Sequence, residues 1–138
     1  MQQVVYGVDR FMEQAAKYKQ LKFGLITNNA ATTSTNEASR LALLKKGINV
    51  VRLFSPEHEL SAKGEDGSFQ KNFIDEVTGL PVISLYGEKL KPTAEDLKEL
   101  DALLFDIPDA GCRYYTYLWT LSYAMEAAAE NQKQFIVL

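Results

Sequence analysis

Five short apolar runs alternate with segments of helical periodicity, and this alternation constrains the fold more than any other feature of the chain. The runs are "LKFGLIT" (21–27), "INVVRLFS" (48–55), "LPVISLYG" (80–87), "ALLFDI" (102–107) and "QFIVL" (134–138). Between and before them lie "VDRFMEQAAKYK", with Val8, Phe11, Met12, Ala15 and Ala16 at helical spacing, "EASRLALLKKG", "KPTAEDLKELD" and "YLWTLSYAMEAAAENQ". Most of the strand runs are continuously apolar, as expected when both faces of a sheet are covered. The expectation is an α/β fold: a Rossmann-like three-layer sandwich with a mostly parallel sheet of about five strands.

Punctuation supports these boundaries. Thr35 or Asn36 is placed to cap the second helix, Leu41 and Leu44 should face inward, and Gly47 should end it. Pro92 and Thr93 open the third helix, with acids in its first turn. The last helix should bury Leu118, Leu121, Met125 and Ala128. Residues 56–80 carry no clear element, and a loop that long is commonly functional.

Composition removes several function classes. The 138 residues suit one domain, 46% hydrophobic and 24% charged, so an ordinary globular core is expected. A net charge of −3, with no basic cluster interleaved with aromatics, argues against nucleic acid as a partner. The one cysteine, Cys112, excludes an internal disulfide and any CxxC motif, and the one histidine excludes a His-rich metal site. No apolar run approaches bilayer-spanning length, and the start "MQQVVYGVDRF" lacks the form of a signal peptide. There is no GxGxxG, GxxxxGK[ST] or GxSxG, so dinucleotide, P-loop and serine-hydrolase chemistry lack support. No cofactor or metal is expected.

In open α/β sheets, ligands bind beyond the carboxyl ends of the strands. Those ends carry Thr27, Asn28 and Asn29, then Ser55, Glu57 and His58, then Tyr86 and Glu88, and finally Asp106, Asp109, Arg113, Tyr114, Tyr115 and Tyr117. Each has a plainer reading: Asn28 as a turn residue, Glu57 as a cap, His58 as a structural histidine, Asp106 and Asp109 as loop acids braced by Arg113, one tyrosine as core. A parallel sheet would bring all of them to one rim. Carboxylates, one His, one Arg, amides and phenols suit a neutral, hydroxyl-rich ligand, with carboxyls for acid and base work as in glycoside hydrolysis. The same inventory suits a sugar-binding module without catalysis.

The motifs "FGLITNNAAT", "LFSPEH", "TGLPVISLYG", "KPTAEDL", "LLFDIPDAGCRYYTYLWTLSYAMEAAAE" and "FIVL" occur in this order in the exo-β-N-acetylmuramidase family of bacterial peptidoglycan glycosidases, and the chain resembles that family from about residue 8 onward. The resemblance implies a Rossmann-like N-terminal domain, here 1–138, which in the family is followed by a second domain with the sugar cleft between them. It implies a peptidoglycan-derived saccharide as partner, release of N-acetylmuramic acid from non-reducing ends, and a cell-envelope location, periplasmic or secreted. It makes Glu57 of "SPEH" the candidate acid with His58 its neighbour, Asn28 the matching strand-end residue, and Arg113, Tyr115 and Tyr117 cleft residues. Without the second domain, an exposed aromatic surface around Tyr114, Tyr115 and Tyr117 is expected to drive self-association.

One departure stands out. The family usually has Gly after "SPEH", and Glu59 stands there in this chain. A second carboxylate beside Glu57 raises the pKa of one of the two. Arg113, close in sequence, is expected to lower the pKa of Asp106 and Asp109, which suits a base, nucleophile or brace. The acid role therefore falls to Glu57, with Asp109 or Glu88 as the second catalytic carboxyl and Asp106 as a substrate contact.

Overall fold

The computed structural model describes residues 4–56, 60, 72–112 and 116–138. Its elements run α1 (Gly7–Glu13), α2 (Ala15–Tyr18), β1 (Phe23–Thr27), α3 (Ser39–Lys45), β2 (Val50–Ser55), β3 (Asn72–Ile74), β4 (Pro81–Ser84), α4 (Ala94–Leu97), β5 (Ala102–Asp106), α5 (Tyr117–Glu130) and β6 (Gln134–Val137). The strands form one six-stranded sheet in the order β3-β4-β2-β1-β5-β6. All neighbours are parallel except β3, which pairs antiparallel with β4. The chain moves outward from β1 through β2 to β4, then returns to the other side of β1 for β5. The sheet order therefore reverses between β1 and β5, where α/β sheets open their ligand crevice.

Each face of the sheet has its own apolar layer. Phe23 and Leu25 of β1, Leu53 of β2, Val82 of β4 and Leu104 of β5 pack with Val8 and Phe11 of α1 and Leu43 of α3. Ile26, Phe54, Ile83, Leu103 and Phe105 point the opposite way, against Leu97, Leu100 and Ala124, Ala127 and Ala128 of α5. This is the two-residue side-chain period of strands, buried on both sides. Gly24 sits on the second face. A Cβ there would lie 2.7–2.9 Å from side-chain carbons of Leu100, Phe54 and Leu103, so the glycine lets that layer close onto the sheet centre.

Several local expectations hold. Thr93 caps α4: its hydroxyl accepts from Asp96 N, and the Asp96 carboxylate accepts from Thr93 N in return. Gly47, at φ +84°, ends α3 in a Schellman turn, with Ile48 N donating to Leu43 O and Gly47 N to Leu44 O.

Others are corrected. The sheet has a sixth strand, because the stretch 72–74 inside the supposedly featureless segment pairs with β4. Three residues give too short a pattern to read, and the strand is fixed instead by the turn after it, where Asp75 accepts from Thr78 and is bound by Arg40. The first helix is interrupted at Gln14, whose N–H reaches back three residues to Phe11 O; Phe11 and Tyr18 still stack across the break at 4.6 Å. Ala38, not Thr35 or Asn36, precedes the first residue of α3, while Thr33 and Asn36 belong to a turn before it. In α3 the apolar residues turned fully inward are Ala42 and Leu43, alongside buried Ser39 and Arg40, and Leu41 and Leu44 are only half-buried.

The buried face of α5 is also rotated from the expected one. Thr120, Ala124, Ala127 and Ala128 face the sheet, whereas Leu118 and Met125 are 65% and 51% exposed. A small-residue face lets the helix approach the strands closely, and the larger side chains are displaced outward.

Candidate functional site

The last residue of each of four adjacent parallel strands is polar. Register pairs Ser84 of β4 with Ser55 of β2, and Thr27 of β1 with Asp106 of β5. Ile26 pairs with Phe54, so the next residues along, Thr27 and Ser55, are neighbours too. Each of the four lies two positions beyond a residue of the α1/α3 layer (Val82, Leu53, Leu25 and Leu104), so all four side chains belong to that face. The result is a row, Ser84–Ser55–Thr27–Asp106, that crosses the carboxyl edge of the sheet over roughly 14 Å at ordinary strand spacing. It includes the β1/β5 reversal point.

The middle of the row is buried, its two ends are half-buried, and its pairing is incomplete. Thr27 and Ser55 are 1% and 0% exposed, and Ser39, the first residue of α3, is also inaccessible. Among the described residues, Ser39 Oγ, Ser55 Oγ and Asp106 Oδ2 are buried without a hydrogen-bond partner. Native proteins leave few such atoms unpaired, and those they leave commonly mark a functional site. Burial pushes the Asp106 carboxyl above its ordinary pKa; the nearby Ser39 hydroxyl opposes this, and the charge of Asp9 reinforces it. Ser39 is close enough to act on the carboxyl without reaching regular hydrogen-bond geometry. The Asp9 carboxylate is held in place by Tyr6 N and Ser34 N at 3.2 and 3.1 Å.

This corrects the expectation that Asp106 is lowered: burial governs it. A carboxyl whose pKa is raised on folding costs stability as pH rises from the unfolded value through the folded one, and the cost is absent in acid. Asp106→Asn is therefore expected to raise stability at pH 7 by about 1 kcal/mol, roughly 4 °C in Tm. The gain should fade in melts run near pH 4. An unchanged or lowered Tm at pH 7 would count against an unpaired, burial-shifted carboxyl.

The other sequence candidates are dispersed. Asn28 follows Thr27 at the rim and is 8% exposed; its Oδ1 accepts from Ala30 N at 3.0 Å, so it makes a turn as well as lining the edge. Asp109 is exposed and its Oδ1 accepts from Gly111 N at 2.7 Å, the plain turn role. Glu88 is exposed in the connection between β4 and α4. Tyr117 opens α5 half-buried against the second apolar layer, the packing role anticipated for one of the tyrosines. Glu57, His58, Glu59, Arg113, Tyr114 and Tyr115 lie outside the described residues. Asp9, Ser39 and Ser84 were missed by sequence reasoning. Ser84 could have been found from the hydroxyl or carboxyl that closes every central strand run. Asp9 and Ser39 reach the row only through the packing of α1 and α3, which the sequence does not spell out.

Among the described residues, no three His, Cys, Asp or Glu side chains stand together in a way that could hold a metal ion, and no helix is long and apolar enough to cross a membrane.

Comparison with known proteins gives concordant matches. The family described as "Exo-beta-N-acetylmuramidase NamZ, N-terminal" matches residues 23–138. The peptidoglycan beta-N-acetylmuramidase NamZ of Bacillus subtilis (strain 168) is 44% identical over 134 residues, covering 96% of this chain and 32% of that protein. The chain thus spans about a third of the length of this curated relative. Two crystal structures of DUF1343 family proteins from Bacteroides fragilis NCTC 9343 are similar in fold. One has a TM-score of 0.86 at 40% identity and covers 99% of this chain and 34% of that one. The other has a TM-score of 0.76 at 31% identity, with 97% and 34% covered.

Proposed function

Because the chain belongs to the exo-β-N-acetylmuramidase NamZ N-terminal family, we propose that it forms the Rossmann-like part of a glycosidase that releases N-acetylmuramic acid from the non-reducing ends of peptidoglycan fragments at the cell envelope. The observation that carries this reading is the Asp106 carboxyl, whose buried Oδ2 has no partner among the described residues, near Ser39 and next to Thr27 at the β1/β5 reversal. A hydroxyl-rich ligand suits an edge lined by hydroxyl, amide and carboxyl groups. In this proposal Glu57 is the acid, with His58 beside it, and Asp109 or Glu88 is the second carboxyl. Asn28, Asp106, Arg113, Tyr115 and Tyr117 contact the sugar. A second domain of the kind the longer relatives have room for completes the cleft, and the 138-residue chain alone turns over little or no substrate.

The test is an amide chemical-shift titration of the chain with N-acetylmuramic acid. Saturable shifts should cluster at Thr27, Asn28, Ser55, Ser84 and Asp106. Shifts elsewhere with none in the row, at millimolar sugar, would remove the basis for placing the site there. A non-catalytic sugar-binding domain is the second reading, favoured by Glu59 in the position after "SPEH"; it predicts the same shifts and no turnover in any fusion.

A further inference from the structure

The first turn of α3 reaches two distant parts of the sheet through consecutive residues. Ser39 and Arg40 are 0% and 5% exposed. Ser39 is tied to the carboxyl edge. Its N–H donates to Ala31 O at 3.0 Å, Ala31 N donates to Asn28 O at 3.2 Å, and Asn28 follows Thr27, the register partner of Asp106. Ser39 Oγ and Asp106 Oδ2 are both buried without a regular hydrogen bond among the described residues. Arg40 is bound instead to Asp75, in the turn between β3 and β4, where Nε donates to Oδ2 at 3.0 Å. Three strands separate β3 from β5, so the two attachments belong to strands roughly 19 Å apart at ordinary spacing.

The far anchor is itself held in place. Asp75 Oδ2 also accepts from Thr78 Oγ1 at 2.6 Å and Thr78 N at 3.2 Å. The turn is closed by Asp75 N donating to Leu80 O at 2.9 Å and Gly79 N to Asp75 O at 2.7 Å. Burying a charged pair is a poor route to stability, because desolvation offsets much of the attraction and packed apolar residues often serve as well. What the pair adds is direction. A charge-assisted hydrogen bond has a defined length and angle, whereas apolar contacts repack when a helix shifts over a sheet. Any shift of this turn moves Ser39 relative to Asp106, since Ser39 and Arg40 are neighbours on it.

We propose that Arg40 and Asp75 are positioning residues for the polar row: their bridge fixes the first turn of α3 and so holds the Ser39 hydroxyl beside the Asp106 carboxyl. The inference rests on the reading of that row as the sugar site and adds two residues that act on it through Ser39. Asp106 is faced by the Asp9 charge from α1 and by the Ser39 hydroxyl from α3, which opposes the effect of burial on the carboxyl. Asp9 is anchored outside α3, by Tyr6 N and Ser34 N. A displaced α3 therefore takes away the hydroxyl while the neighbouring charge stays. Asp106 becomes harder to ionise, and a sugar meets a row with one hydrogen-bonding group out of place.

The test follows the Asp106 side-chain carboxyl by carbon NMR through a pH titration of the 138-residue protein without sugar. Ser39→Ala should raise its pKa, by removing the hydroxyl that opposes burial. Asp75→Asn should reproduce most of that rise, and adding it to Ser39→Ala should produce no further rise. The sign separates position from charge, because an Arg40 guanidinium left without its partner would lower Asp106 directly. Leu97→Ala, which truncates a buried side chain of the opposite layer, is the control for general loss of stability and should leave the titration in place. If Asp75→Asn fails to fold by circular dichroism, Arg40→Met is read in the same cycle: a charge effect persists in the Ser39→Ala background, and a positional one vanishes there. N-acetylmuramic acid should bind the Asp75→Asn chain about three- to tenfold more weakly, the size of one misplaced hydrogen bond. The pair is not a positioning pair if Ser39→Ala leaves Asp106 unmoved, if Asp75→Asn leaves it unmoved or lowers it, if the two rises add, or if Leu97→Ala gives the same rise. Absence of the rise with sugar shifts intact in the Thr27–Asp106 row removes the positioning role only. The rise without any sugar shift in the parent chain removes the proposed sugar site instead.

Discussion

Asp75→Ala is expected to cost about 3–5 kcal/mol of folding free energy, the range found when one partner of a buried ion pair is removed. Arg40 and Asp75 are each 5% exposed, and Arg40 Nε donates to Asp75 Oδ2 at 3.0 Å. The same oxygen also accepts from Thr78 Oγ1 at 2.6 Å and Thr78 N at 3.2 Å. Truncation therefore leaves a guanidinium buried without its counter-charge and two Thr78 donors without their acceptor. It also disconnects α3 from the turn that holds β3 on the sheet. Arg40→Met, which removes the charge while filling much of the volume, should cost less than the Asp75 change, because Asp75 keeps both of its Thr78 donors. Urea denaturation of both variants gives the comparison, and an Asp75→Ala loss below about 1 kcal/mol would contradict the buried-pair account.

The pH dependence of this pair has a fixed sign. Burial raises the Asp75 pKa, but bonds to Thr78 and Arg40 outweigh it, and the net value is below the ordinary 3.8. A carboxylate depressed on folding contributes stability that is fully present above its unfolded pKa and is lost as pH falls through its folded one. Asp75 and Asp106 therefore act in opposite directions in acid: protonation weakens the Arg40 anchor and relieves the strain at Asp106.

Much of the fold was legible because its signals are local and repeated. Apolar runs of strand length, separated by Thr93-type caps and Gly47-type stops, gave the five parallel strands and the α/β layering. What escaped depended on tertiary partners. β3 is three residues long and exists as an edge strand through its pairing with β4 and the Arg40–Asp75 bridge from α3. On α5 the expected Ala128 is buried, but Leu118 and Met125 were placed inward because hydrophobicity ranked them above Ala124 and Ala127, which close helix-to-sheet contact selected.

The candidate site divides in the same way. That polar residues gather at one edge could be read from strand order. That Asp106 is raised rather than lowered could not, because burial in the folded sheet sets the direction, reinforced by Asp9 and opposed by Ser39, each more than 60 residues away in sequence. Asn28 and Asp109 show the converse: each makes the local turn bond its residue type favours, with Ala30 and Gly111. Asn28 is at the buried rim all the same, whereas Asp109 is on an exposed loop.

The largest expected effect on activity is at Glu57. In sequence it stands two positions after Ser55, the buried last residue of β2. In the proposed glycosidase it protonates the leaving oxygen, and general-acid groups contribute about 10²–10⁴-fold to rate. The chain is fused to the remaining two-thirds of the Bacillus subtilis relative, and release of N-acetylmuramic acid from a chromogenic muramide is followed for the parent fusion, Glu57→Gln and Glu88→Gln. The account predicts turnover by the parent fusion, a loss of two or more orders of magnitude in Glu57→Gln with Tm unchanged, and a smaller loss in Glu88→Gln. Near-parent turnover in Glu57→Gln together with abolished turnover in Glu88→Gln would contradict it.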